Sequence, residues 1–188
     1  MNTWNLPTSV NVAGVDWHIR TDFRVVIDVL IAMNNPDYDN LEKWLYCLES
    51  MIVDFDDLPE EYYKDACDAL SEFIDMGQGN DSKKVKPKTM DWEQDATMIV
   101  SAVNRVQGKE VRSVEYMHWW TFLSAYMEIG GDCLYSQVLN IRQKKAKGKK
   151  LDKWEREFYA ENKQLIDIKK KLTEEEMEEE KLLTELFG

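Results

Sequence analysis

Residues 116–162 read YMHWWTFLSAYMEIGGDCLYSQVLNIRQKKAKGKKLDKWEREFYAEN, and this stretch decides the fold class. Tyr116, Trp119, Trp120, Leu123 and Met127 recur at the spacing of one helix face. Met117, Phe122, Ala125 and Ile129 fill much of the remaining surface, so this helix, expected to start near Ser113, is apolar almost all round. Such a helix belongs in the middle of a domain. Gly130-Gly131 breaks it, Asp132 is the expected cap of the next helix, and Leu134, Val138 and Ile141 turn inward. The lysine-rich run that follows contains Gly148, which suits a helix end or a bend. From there Leu151, Trp154, Phe158, Leu165, Ile168 and Leu172 keep helical spacing, which predicts one long C-terminal helix of about six turns.

Working toward the N-terminus, the periodicity stays helical. Trp92, Ala96, Ile99, Val103 and Val106 predict a helix resuming at Asp91, and Tyr63, Ala66, Cys67, Leu70, Phe73 and Ile74 predict another. Pro59 with Glu60 and Glu61 suits the start of that second helix. Leu41, Trp44, Leu45, Leu48 and Ile52 form the stripe of a helix capped by Asp39 or Asn40. Phe23, Val26, Ile27, Leu30 and Ile31 form that of a helix capped by Thr21-Asp22 and ended by Asn34-Asn35-Pro36. Ahead of these, Val10 and Val12, then Ala13-Gly14, then Val15, Trp17 and Ile19 alternate around a glycine turn, which predicts a small β-hairpin. A lone hairpin is marginal, so its apolar face has to rest on the helices. The fold class is therefore mainly α: a single-domain helical bundle over 1–172 with an N-terminal hairpin. A mobile loop is expected over 77–90, where GQGNDSKKVKPK lacks periodicity. An acidic tail over 173–188 ends in the apolar positions Leu182, Leu183, Leu186 and Phe187, and is either unstructured or folded back on the basic segment.

Charge is segregated along the chain. Residues 142–171 hold twelve Lys/Arg against five Asp/Glu, a local excess of +7 in a chain of net charge −12, so the remainder carries −19. A basic arm on an acidic body suits electrostatic docking of an acidic or helical partner better than it suits nucleic acid, which favours a basic face without a large opposing acidic one. No apolar run reaches the roughly 18 residues of a membrane span. The first residues, MNTWNLPTSV, lack the regions of a secretory signal. Cys47, Cys67 and Cys133 show no paired spacing and read as structural thiols.

Nothing asks for catalysis. His18 and His118 have no neighbouring ligands at metal-site spacing, and His118 reads as a core or core-edge histidine, with a catalytic or metal role as the alternative. Asp54-Phe55-Asp56-Asp57 lacks the central glycine and late glutamate of a calcium loop and reads as an acidic helix entrance. Trp119-Trp120 reads as core before it reads as a ligand-stacking platform. No phosphate-binding loop, nucleophile elbow or zincin motif occurs. No cofactor is expected, and the chain reads as a non-enzyme. The candidate partner-binding residues are Arg142, Lys144, Lys145, Lys149, Lys150 and Lys153 on the basic arm. To these are added Leu182, Leu183, Leu186 and Phe187 at the C-terminus, which could dock as a helix in a groove.

With these residues in view, the chain resembles the bacteriophage "gene product fifteen" family of Gram-positive siphophages. The resemblance rests on L-P-x-x-V-x-V-x-G with I-R-T-D-F-R (residues 6–24), on Y-M-H-W-W-x-F (116–122) and on I-R-x-K-K-x-K-G-K-K-L-x-K-W-E-x-x-F-Y (141–159), in that order along the chain. It implies a product encoded near the tape-measure gene, in the position of a tail assembly chaperone. Such a factor would work in the host cytoplasm, bind the tape-measure protein and help tail-tube subunits polymerise. It implies no catalytic residues. The tail-tube protein and a second copy of this chain are further candidate partners. Two alternatives stand beside this reading: a structural component of the tail, and a nucleic-acid-binding protein using 142–153.

Overall fold

The computed structural model describes residues 4–77, 87–173 and 175–178. It begins with the hairpin, β1 (Ser9–Val12) and β2 (Val15–His18), paired antiparallel with Val10 opposite Trp17 and Val12 opposite Val15. Ala13 and Gly14 both take positive φ, 50° and 85°, as a two-residue turn matched to strand twist demands. Asn11 secures it, accepting from the Gly14 N–H at 3.2 Å and donating to Asp16 at 2.7 Å. Val10 and Val12 are buried, and β1 packs on α3 (Tyr63–Ile74), so the hairpin has the support it requires.

The chain then enters α1 (Phe23–Ala32) and α2 (Asn40–Met51). Asp22 caps α1 through the Arg24 N–H, and Asp39 with Glu42 closes a reciprocal capping box on α2. Arg20 reaches over the C-terminal end of α2, donating to the carbonyls of Glu49, Ser50, Ile52 and Val53 at 2.7 to 3.3 Å. Those are the carbonyls a helix end leaves without partners. The buried stripe of α1 is Phe23, Val26, Val29 and Ala32, whereas Ile27, Leu30 and Ile31 are only half-buried. The stripe is thus rotated from the expected one, because α1 packs both on α2 and on α5 (Trp119–Met127).

Short 3-10 turns (Phe55–Asp57 and Glu60–Tyr62) lead into α3. Then come α4 (Ala96–Gln107), a 3-10 turn (Val111–Ser113), α5 (Trp119–Met127) and α6 (Leu134–Ala146). Helix α5 starts at Trp119 and not near Ser113. Ahead of it the chain is extended: Phe23 donates to Met117 O at 3.0 Å, and Trp119 donates to Thr21 O at 2.7 Å. The tryptophan pair is buried as expected, and its indole N–H groups have a specific task. Trp119 donates to Ile74 O at 2.9 Å and Trp120 to Phe73 O at 2.8 Å, satisfying the last carbonyls of α3.

Asp132, the expected cap of α6, is turned outward to Arg105 at 2.7 Å, and Cys133 stands at the cap position. The long C-terminal helix does not form as one piece. The stripe is divided between α7 (Lys153–Glu161) and α8 (Lys163–Ile166), after which the backbone runs as a strap to Thr173. Asn162 sits at φ −120° and ψ 29°, outside helical geometry, and its side chain turns back to Phe158 O at 3.0 Å. Within the tail, Thr173 and Glu176 bond reciprocally at 3.0 and 3.2 Å and residues 175–178 are helical. Of the expected loop, residues 78–86 lie outside the described residues, as do 174 and 179–188 of the tail.

One apolar core runs from Val10 to Ile166 and contains a charged pair. Arg142, 5% exposed, donates to both carboxylate oxygens of Asp95, 0% exposed, at 2.6 and 2.9 Å. Its other N–H groups go to the carbonyls of Thr89 at 3.1 Å, Leu165 at 3.0 Å and Ile166. All five guanidinium donors are thereby used. Truncating Arg142 leaves a buried carboxylate without its countercharge and three carbonyls without this donor, so Arg142→Met is expected to cost about 3–5 kcal/mol in urea denaturation. Limited proteolysis should at the same time cut the variant first within residues 153–173.

His118 caps α5: its Nδ1 accepts from the Trp120 N–H at 3.0 Å, and its Nε2 lies 2.8 Å from Pro7 O. A carbonyl only accepts, so Nε2 carries the proton and the ring is neutral. Burial pushes its pKa down, against the smaller opposing pull of the Pro7 carbonyl. The unfolded chain takes up a proton below about pH 6.5 while the folded ring resists it, so stability is lost as pH falls through that value. Urea denaturation between about pH 7.5 and 5.5 should show this slope, and His118→Asn should flatten it.

Candidate partner-binding surfaces

The basic arm was the expected site, and the fold divides it. Arg142 is withdrawn from it altogether: a guanidinium with five internal acceptors in the core offers nothing to a partner. Lys144 is committed to Glu155, which also accepts from Asn140 at 2.9 Å and closes the α7 capping box with Asp152. The Lys144 ammonium holds the Glu155 carboxyl below the usual carboxylate range. Lys145 lies 3.7 Å over the Tyr159 ring and pairs with Asp167. These two lysines clamp α6 to α7 and to the strap.

What remains open is the end of α6 and the first turn of α7. Gly148, at φ 63°, ends α6 by the expected left-handed turn, with Lys149 N–H on Lys144 O at 2.8 Å. Lys147, Lys149 and Lys150 are exposed and form no ion pair among the described residues. Lys153 is exposed and lies 4.0 Å from Glu157. Beside them Trp154 is 51% exposed and stacks on Phe158, with ring centroids 5.1 Å apart. The result is a ledge of lysines with an aromatic step. Leu182, Leu183, Leu186 and Phe187 lie outside the described residues.

A second surface escaped the sequence reading because its residues pattern as core. The stripe of α2 is buried at Leu48 and Ile52, but Leu41 is 66% and Trp44 39% exposed. The stripe outruns the domain: toward its N-terminal end no other element lies over it among the described residues. Tyr38 and Tyr46 are also exposed, 6.4 Å apart by ring centroids. They open onto a groove of about 870 Å³. Ile31, Ala32 and Pro36 line it on the α1 side, and the strap with Met177 lines the other. Asp28, Asp37 and Glu93 stand at the groove, facing Lys169, Lys170 and Lys171. The strap wall is anchored by the Gln94 side chain, which donates to Asp167 O and accepts from the Lys169 N–H, each at 2.9 Å. Periodicity alone cannot mark this ridge, since a stripe looks alike whether a neighbour covers it or not.

The polar groups with chemical potential are otherwise absorbed by the fold. Among the described residues no group of three or more His, Cys, Asp or Glu is placed to hold a metal ion. Cys47, Cys67 and Cys133 are free thiols, and burial pushes Cys47 up to about 12, far from a thiolate at neutral pH. His118 and both indoles of the Trp119-Trp120 pair are occupied with backbone, as described above. Asp56 and Asp57 lie in the 3-10 turn ahead of α3. No helix among the described residues is long and apolar enough to cross a membrane. The arrangement offers two docking surfaces: an apolar ridge with a groove of mixed charge, and a basic ledge with an aromatic step.

Comparison with known proteins places the chain. No curated protein and no solved structure matches it. The family model described as Bacteriophage Gp15 protein matches residues 3–168. That span takes in the hairpin, the joint between α1 and α5, the buried Asp95–Arg142 pair and the basic ledge, and the chain belongs to the bacteriophage Gp15 family.

Proposed function

We propose that this phage protein is a non-enzymatic tail assembly chaperone. It acts in the host cytoplasm and holds an amphipathic helical stretch of the tape-measure protein until tail-tube subunits assemble around it. The observation that carries this reading is the exposed apolar surface of α2, with Leu41 and Trp44 on one face and, on another, Tyr46, which lines the groove together with Tyr38. Exposed apolar surface of this kind marks an interaction site, and a ridge beside a groove is how amphipathic helices are received. Aromatic side chains supply the large, rigid contact area that dominates such interfaces. Asp28, Asp37 and Glu93 on one side and the strap lysines on the other give a bound helix charged neighbours of either sign. The reading draws on family membership for the phage setting and on the ridge for the mode of binding.

Co-expression with the tape-measure protein of the same phage tests it. The wild-type chain should keep that protein soluble and co-purify with it, and should be absent from purified virions. Trp44→Glu should weaken the complex roughly 30-fold, the usual loss for a central aromatic anchor. Leu41→Glu, at a position 66% exposed, should weaken the complex as well while changing stability in urea denaturation by no more than about 0.5 kcal/mol. A tape-measure protein equally soluble without this chain would refute the chaperone role. Recovery of the chain in stoichiometric amount from virions would make it a structural tail component.

A further inference from the structure

Along the basic arm and the strap, four lysines have a close carboxylate: Lys144 has Glu155, Lys145 has Asp167, Lys170 has Glu176 and Lys171 has Glu93, whereas on the ledge Lys153 only approaches Glu157 at 4.0 Å. On the ledge the pattern stops. Lys149 and Lys150 face solvent, and Trp154 leaves half its surface bare beside them. An occupant of this surface has to be acidic and has to bring apolar side chains to the indole. Residues 178–187, EEEKLLTELF, meet both demands, with glutamates followed by Leu182, Leu183, Leu186 and Phe187.

We propose that the ledge formed by Lys149, Lys150, Lys153 and Trp154 is the docking site of the C-terminal segment of the same chain, residues 179–187. Reach is adequate. Glu176 is tied to Lys170 on the strap, Asp167 of the strap is tied to Lys145, and the Lys149 N–H is bonded to Lys144 O. This relay of neighbouring contacts joins the point where the described chain stops to the ledge. The ten residues beyond Glu178 extend up to about 33 Å at roughly 3.3 Å each. Charge favours an occupant on the same chain over one from elsewhere. Residues 1–141 carry −13 and repel a free polyanion, nucleic acid included. A tethered segment needs no encounter and is presented at an effective concentration on the order of millimolar.

Zero-length carbodiimide cross-linking of the full chain, prepared as an equal mixture of ¹⁴N and ¹⁵N protein and read by peptide mass spectrometry, tests the proposal. Amide links joining Lys149, Lys150 or Lys153 to Glu179, Glu180 or Glu185 are expected, with both halves carrying the same isotope. Leu186→Ser combined with Phe187→Ser leaves every linkable group in place and should lower the yield at least about tenfold, since the apolar anchors are gone. Links of mixed isotope would overturn the proposal in favour of a second copy. Links from the segment to Lys169, Lys170 or Lys171 alone would overturn it in favour of the groove. Labelled single-stranded DNA captured by the ledge lysines would overturn it in favour of nucleic acid. The measurement involves no tape-measure protein, so its failure leaves the chaperone reading untouched.

Discussion

The fold depends on one buried ion pair. Asp95 stands at the entrance of α4 and Arg142 near the end of α6, and the guanidinium also holds the chain just after the loop, at Thr89, and the end of α8, at Leu165 and Ile166. Three stretches distant in sequence, around residues 89–95, 142 and 165–166, are thereby fixed by one planar group. Burying two charges costs several kcal/mol per ion before their attraction is counted. The cost is offset here because no donor of the arginine is left over, and because the carboxylate also accepts from the Asp91 N–H at 2.9 Å. A lysine could not substitute: three donors on one nitrogen cannot meet five acceptors spread around the edge of a planar fork.

The second constraint is a joint between two short motifs. I-R-T-D-F-R and Y-M-H-W-W-x-F lie nearly a hundred residues apart, and in the fold they form a small extended bridge, Asp22 opposite His118. Asp22 caps α1 and takes the Met117 N–H at 3.1 Å, while Phe23 stacks on Phe122 with ring centroids 4.5 Å apart. His118 caps α5 and reaches back to Pro7, so the entrance to the hairpin is tied to the same joint. The tryptophans that follow close the end of α3. A run that reads as a dense apolar helix is therefore also a set of polar terminations, each indole or imidazole nitrogen meeting a backbone group.

What could be read from sequence was local. The two-residue turn at Ala13-Gly14, the capping box at Asp39, the glycine stop at Gly148 and the buried helix around Phe122 each depend on residues within a turn or two of one another. What could not be read was long-range. A run of like charges gives no sign that Arg142 alone has a carboxylate waiting 47 positions upstream. Asp132 has the chemistry of a helix cap, but Arg105 competes for it from another element. The stripe of residues 151–172 is continuous in spacing, yet the carbonyls of Leu165 and Ile166 are taken by Arg142, and the end of α8 at Ile166 leaves them free to accept. The ridge on α2 inverts this case: its spacing is that of core, and only the absence of an overlying element among the described residues makes it surface.

The two candidate surfaces share a support. The strap that forms one wall of the groove is held at Leu165 and Ile166 by Arg142 and at Asp167 by Lys145, and the ledge begins where the same helix, α6, ends. A change in how α6 sits is therefore felt at both places. Lys169, Lys170 and Lys171 of the strap line the groove, and Asp167 joins the strap to Lys145 and Tyr159. Arg142 is withdrawn from both surfaces, yet it ties α6, which ends at the ledge, to the end of α8, from which the strap runs.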